Sequence, residues 1–441
     1  MILALVGFAA LFAIILLRVP IAFAMAAVGF CGFAWILGVG PTLSMVGTTA
    51  FDAGLAYNLS VLPLFILMGN FVARAGLAGE IFHLAHVFLG RRPGGLAMAT
   101  VVACGGFSAI CGSSIATAAT MSKVAIPSMR RYGYDEGLAC GSIAAGGTLG
   151  ILIPPSVILV IYGVLTEESI GQLFAAGAIP GLLGILFYLG AVRWTVWRRP
   201  EAGPAAGPVA WSERWQALRN IWAVLLLFAV VIGGIYLGWF TPTEAAGIGA
   251  VGAFLFAFAR RRLTWAILYE ILRESAVTTA MIFAILIGAL IFTNFINFSG
   301  MPETMLDWIR GSEVSPFWVI LAMMLCYLVL GCILESLSMI LLTVPVFFPL
   351  VSSLDFGGGL LADPEMVLIW FGILVVVVTE ISLITPPVGL NVFVLKGFVP
   401  DVPVRRIFAG VLPFIAADVV RLALLLAVPA ISLWLPELLF R

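Results

Sequence analysis

The sequence predicts an all-α polytopic membrane protein made of two inverted-topology repeats, each with a re-entrant hairpin and a helix broken at a Pro-Pro pair. Three observations predict it. The 441 residues are 63% hydrophobic and only 10% charged, with a mean hydropathy of +1.18, more apolar surface than a soluble chain of this length can hide. Apolar runs of roughly 17–25 residues, the length a bilayer core demands, recur along the chain. The order of runs and breaks in the first half then recurs in the second. Net charge is zero, so the positions of the charges carry the information.

The N-terminal run MILALVGFAALFAIILL lacks a basic flank, carries Arg18 after it, and is followed at once by a second apolar run. It reads as two retained helices, 1–17 and 19–39, and not as a secretion signal. A third span covers 57–74. Lys and Arg favour cytoplasmic loops, so Arg18 places the N-terminus outside and Arg74 inside. GEIFHLAHVFLGRR then lies along the surface as an amphipathic helix over 77–90. His83 and His86 sit on it as surface residues and not as a metal pair. The six cysteines (Cys31, Cys104, Cys111, Cys140, Cys326, Cys332) fall inside apolar runs without zinc-ligand spacing and read as small core residues.

The arms 94–108 and 114–129 are flanked by Arg91–Arg92 and Arg130–Arg131, so both ends are cytoplasmic. Each arm gives roughly 22 Å of helix, short of the ~30 Å core. Two full spans or a re-entrant hairpin would both return the chain to the cytoplasm; the short arms favour a hairpin over about 93–131, with its tip at 108–114 in the stretch SAICGSSIATAA (108–119). The helix over about 135–165 is interrupted at GILIPPS (150–156), because Pro155 has no N–H and Pro154 restricts its predecessor. Broken backbone at membrane depth persists only where protein or a wet cavity satisfies it. The chain emerges at Thr166–Glu168 and returns through 181–197, closing a first repeat over 1–200.

EAGPAAGPVAWSER (201–214) opens a linker over 201–219. In the second repeat, 220–441, spans 220–240 and 244–259 match the first two. The amphipathic stretch 261–274 matches 42–55, span 276–298 matches 57–74, and helix 301–311 matches 77–90. A second hairpin over about 315–353 surrounds ESLSMI (335–340), and a helix over about 366–398 breaks at SLITPPV (382–388). The loops GSEVSP (311–316) and SSLDFGGGLLADPE (352–365) contain acids but no Lys or Arg, so this hairpin opens to the periplasm. Arg421 alone is buried in a span, with Asp418 three residues earlier to pair with it.

Repeated discontinuous helices mark secondary transporters with a site near the midplane. A cation there needs oxygen ligands from freed carbonyls and hydroxyls. Ser108, Ser113 and Ser114 with the Gly147, Gly150 and Pro154 backbone form one candidate sodium site. Ser336 and Ser338 with Thr379, Ser382 and Thr385 form its counterpart. Thr117 and Asn391 are candidate contacts for an anionic substrate between them, facing helix N-termini. The alternative for each hydroxyl is back-bonding or helix packing. Glu335 and Glu380 near the breaks are candidates for a proton relay, for cation steering or for a structural hydrogen bond. Lys123 snorkels to the cytoplasmic surface.

GSSIATAATMSKVAIPSMRRYGYD, GTLGILIPPSVILVIYG, LESLSMILLTVPVFFPLV and TEISLITPPVGLNVFVLKG resemble the large membrane subunit of tripartite ATP-independent periplasmic (TRAP) transporters, the DctM-like family, over essentially the whole chain. The resemblance implies a sodium-driven importer of organic acids (a C4-dicarboxylate, sialic acid or similar carboxylate) in the bacterial inner membrane. It implies an elevator mechanism, in which hairpins and broken helices move against a scaffold. It also implies two partners, a small four-helix membrane subunit and a periplasmic substrate-binding protein. No cofactor beyond the coupling sodium, no nucleic acid and no enzymatic activity are expected. A stand-alone sodium/dicarboxylate carrier of the same architecture is the nearest rival. An ATP-driven permease is disfavoured by the missing G-x-x-x-x-G-K-[ST] pattern, and a serine hydrolase by the lack of a base near Ser113.

Overall fold

The computed structural model describes residues 1–207, 209–311 and 314–440, so Ser312 and Glu313 of the acidic loop and Pro208 of the linker lie outside the described residues. Among the described residues the chain is helical throughout, with no strand. The first half runs α1 (Ile2–Leu16), α2 (Ile21–Leu37), α3 (Val39–Leu55), α4 (Val61–Arg74), α5 (Leu77–Leu89), α6 (Gly95–Cys111), α7 (Ser114–Arg131), α8 (Glu136–Thr148), α9 (Val157–Thr166) and α10 (Ile170–Arg198). The second runs α11 (Trp211–Tyr236), α12 (Pro242–Ala259), α13 (Trp265–Phe298), α14 (Met301–Gly311), α15 (Pro316–Gly331), α16 (Ser336–Val351), α17 (Pro364–Ile384), α18 (Leu390–Phe398), α19 (Val404–Ala427) and α20 (Ala430–Phe440).

Among the described residues, seven helical segments are long and apolar enough to cross a membrane: α4 with the turn before it, α10, α11, α12, α13, α17 and α19. They divide by burial. Only a third or so of the most apolar windows of α11, α12 and α13 is buried, whereas that of α17 is buried completely. From Met366 to Ile384 every residue of α17 is covered by protein, and so is every residue of α8 from Gly137 to Thr148. A helix apolar on all sides belongs either in lipid or in a core; α17 takes the core.

Small residues set the helix spacing. Gly141 of α8 lies against the Gly410 carbonyl of α19, and Gly410 lies against the Gly137 carbonyl. In the outer group, a Cβ on Gly29 of α2 would fall 2.7 Å from the Phe292 backbone of α13. Such glycines let backbones approach closely where no hydrophobic drive separates lipid from helix.

Several boundaries differ from the sequence reading. The stretch 261–274 becomes helical at Trp265 and runs without a break into 276–298 as one helix, α13, because no Gly or Pro falls between Trp265 and Ile287. In the first half Ala56 is extended and a short 3-10 turn separates α3 from α4. The linker interval 201–219 is helical from Trp211 onward, where Ala210 adopts an extended conformation just before the helix. The return span begins at Ile170 and runs through Pro180. A further helix, α20, follows the last predicted span. Cys31 and Cys326 face outward and are not core residues; the outer face of a membrane protein is itself apolar, so an apolar run does not tell inside from outside.

Candidate ion and substrate site

The first hairpin turns within two residues. Gly112 takes a left-handed conformation (φ +63°), which glycine adopts without a Cβ penalty. Ser113 is extended and caps α7, its Oγ accepting the Ala116 N–H at 3.3 Å. Ser108 therefore lies inside α6, one turn before the tip, and not at the tip itself. Its hydroxyl donates to Thr117 Oγ1 at 3.3 Å, and both residues are fully buried.

This tip packs directly on the first break. α8 ends at Thr148, a 3-10 turn covers Leu149–Ile151, and α9 restarts after Ser156 caps it. A Cβ on Gly150 would lie 2.8 Å from Ser108 Cβ and Oγ, one on Gly147 would lie 3.2 Å from the Ser114 carbonyl, and one on Gly112 would lie 3.5 Å from the Pro155 carbonyl. Ser108, Ser114, Gly147, Gly150 and the Pro154–Pro155 backbone are thus one cluster. The Pro154–Pro155 bond is cis, as is Pro386–Pro387. Gly69 of α4 brings the outer group against the Ile110 and Cys111 carbonyls, at 3.2–3.3 Å from its notional Cβ.

The second half repeats the contact with the partners exchanged. Gly331, at the end of α15, lies against the Ser382 side chain. Gly150 and Ser382 each precede their Pro-Pro pair by four residues. Where the first half sets a hairpin serine on a break glycine, the second sets a hairpin glycine on a break serine. Cys332 Sγ lies 3.6 Å from the Pro386 carbonyl, tying the second tip to the second break. Ser336 and Ser338 are buried in the first turn of α16, after Glu335 at its N-cap. Sequence reasoning missed Gly331; aligning the two Pro-Pro pairs, four residues back, is the signal that finds its contact.

The hydroxyls of Thr379, Ser382 and Thr385 donate to the carbonyls of Val375, Thr379 and Ile381 at 2.6–2.7 Å. Back-bonding uses the proton and leaves lone pairs on each oxygen, so these groups remain acceptors for a cation. Asn391, at the start of α18, is fully buried; its Nδ2 donates to the Ala144 carbonyl of α8 at 3.1 Å while Oδ1 has no hydrogen-bond partner. Asn391 therefore joins the two broken helices, and α18 packs on both α7 and α8. The two breaks differ in access: Pro154, Pro155 and Ser156 are buried, whereas Pro386, Pro387 and Val388 are exposed.

Glu335 stands at the second tip, whereas Glu380, Asp418, Arg421, Lys123 and His83 lie away from the tips. Arg421 pairs with Asp418 at 2.9 Å, as the spacing predicts, and also with Glu380. Lys123 Nζ sits 5.5 Å from the Phe398 ring centroid. His83 lies on the surface 3.9 Å from Glu213.

Two interrupted helices set among apolar spans, one break buried and the other exposed, are the arrangement of a membrane transport protein. Comparison with known proteins gives the family. The profile of the tripartite ATP-independent periplasmic transporter, DctM component, matches residues 8–431, and the chain belongs to that family. It is 37% identical to the C4-dicarboxylate TRAP transporter large permease protein DctM of Pseudomonas aeruginosa over 82% of each chain. It is 34% identical to the sialic acid TRAP transporter large permease protein SiaM of Vibrio cholerae, again over 82% of each. The YdaH transporter of Alcanivorax borkumensis, described as having an unusual topology, shares the fold with a TM-score of 0.66 over 88% of this chain and 89% of that one, at 15% identity. The protein is an inner-membrane transport subunit and not an enzyme.

Proposed function

We propose that this chain is the translocating subunit of a sodium-coupled importer of organic acids, a C4-dicarboxylate, sialic acid or similar carboxylate. The reciprocal Ser108–Gly150 and Gly331–Ser382 contacts carry the reading. They bring hydroxyls and interrupted backbone together at two places related by the order of elements, as a pair of cation sites in an inverted-repeat transporter requires. Sodium is held at Ser108, Ser113 and Ser114 with the Gly147–Pro154 backbone, and at Ser336, Ser338, Thr379, Ser382 and Thr385. Asn391 Oδ1 and Thr117 face the substrate.

The hairpins and broken helices move as one body against α1–α5 and α11–α14, an elevator motion that alternates access. One buried break and one exposed break support this reading. A small four-helix membrane subunit braces the scaffold, and a periplasmic binding protein delivers the acid. The test is reconstitution. Uptake should need the cognate binding protein and the small subunit and should persist without ATP; uptake by the isolated chain would instead identify a stand-alone carrier.

A further inference from the structure

Away from the tips, five fully buried side chains form a continuous polar chain across four helices. Thr148 Oγ1 of α8 donates to the Ala145 carbonyl of its own helix at 2.7 Å and lies in polar contact, 3.3 Å, with Tyr188 Oη of α10. Tyr188 Oη donates to Asp418 Oδ2 of α19 at 2.5 Å. Asp418 Oδ1 is 2.9 Å from Arg421 Nη2, and Arg421 pairs with Glu380 of α17. All five are 0% exposed. Gly184 of α10 leaves the room the guanidinium occupies, since a Cβ there would collide with Arg421 Nη1.

The placement follows the two breaks. Thr148 precedes Pro154 by six residues and Glu380 precedes Pro386 by six; Tyr188 follows Pro180 by eight and Arg421 follows Pro413 by eight. A neutral Thr–Tyr pair in the first half thus corresponds to a Glu–Arg pair in the second, and Asp418 bridges them. Thr148 stands between Gly147 and Gly150; Glu380 stands between Thr379 and Ser382.

Burying a guanidinium and two carboxyl groups is costly, and apolar side chains would hold the helices as well or better. What the polar chain adds is fixed direction. Each link has a required geometry, so displacement of one break strains its bond to the next helix. We propose that Tyr188 and Arg421 are positioning residues that couple the two interrupted helices, so that the two candidate cation sites respond to sodium together. This rests on the sodium reading given above, and its test separates the two.

The experiment measures sodium activation of uptake in proteoliposomes holding the complete three-component system. Tyr188→Phe and Thr148→Val each cut the bridge while conserving shape. Each should lower the Hill coefficient for sodium towards unity and raise half-saturating sodium by about fivefold or more, with the KM for the loaded binding protein unchanged. A purely structural role would lower the yield of folded protein and leave the sodium curve unaltered. Wild-type curves in both variants, a non-cooperative wild type, or failure of both variants to fold would overturn the coupling proposal alone. A wild type with no sodium activation overturns the sodium reading and this proposal with it.

Discussion

Replacing Gly150 with alanine tests the first candidate cation cluster through packing alone. The added Cβ would sit 2.8 Å from Ser108 Cβ and Oγ, where ordinary contact begins at 3.4 Å. Ser108 is fully buried on α6, so the hairpin must retreat from the break by roughly 0.6 Å or more to restore ordinary contact. Overpacking of this kind costs about 1–3 kcal/mol. If about 2 kcal/mol falls on the ion-bound state, half-saturating sodium rises about 30-fold, at ~1.4 kcal/mol per tenfold. The assay is sodium-dependent uptake in proteoliposomes. Gly190→Ala is the control, because nothing lies within 4 Å of that notional Cβ. Unchanged sodium activation in Gly150→Ala, or an equal shift in Gly190→Ala, would refute the reasoning.

Three further outcomes are expected. Gly331→Ala collides with Ser382 and should shift sodium activation in the same direction; a wild-type curve would detach the second cluster from the ion. Asn391→Leu removes the bond to the Ala144 carbonyl and the unpartnered Oδ1, a loss of about 1–3 kcal/mol; uptake at saturating sodium should slow about tenfold, and an undiminished rate removes Asn391 from the substrate path. Glu168, in the loop between α9 and α10, has its carboxyl pushed up to about 7 by burial, with the like charge of Glu365 adding to it. A raised carboxyl favours the folded state below the unfolded pKa of 4.5 and loses that contribution as pH climbs through about 7. The thermal midpoint in detergent should therefore fall over that window, and Glu168→Gln should flatten the fall; parallel profiles for both proteins would contradict the assignment.

The features legible in the sequence are those with local signals. Pro154–Pro155 and Pro386–Pro387 announce the breaks because proline removes a donor wherever it sits. Gly112 and the paired arginines mark the first hairpin, and Asp418 and Arg421 lie within one helical turn. The rest depends on tertiary approach. Glu380 reaches Arg421 across 41 residues and Tyr188 reaches Asp418 across 230, contacts that only the packing of α10, α17 and α19 creates. Clustered polarity assigns Ser108 to the tip, yet the helix continues three residues beyond it. The fusion of 265–298 into α13 is illegible because an amphipathic stretch followed by an apolar one shows two patterns but contains no breaker before Gly288.

The most direct test of the central claim is uptake of a carboxylate by the complete system in proteoliposomes, with and without an inward sodium gradient. Sodium-coupled translocation through the two clusters predicts accumulation only when the gradient is imposed, with no ATP present. Accumulation at the same rate with sodium absent from both sides would contradict it.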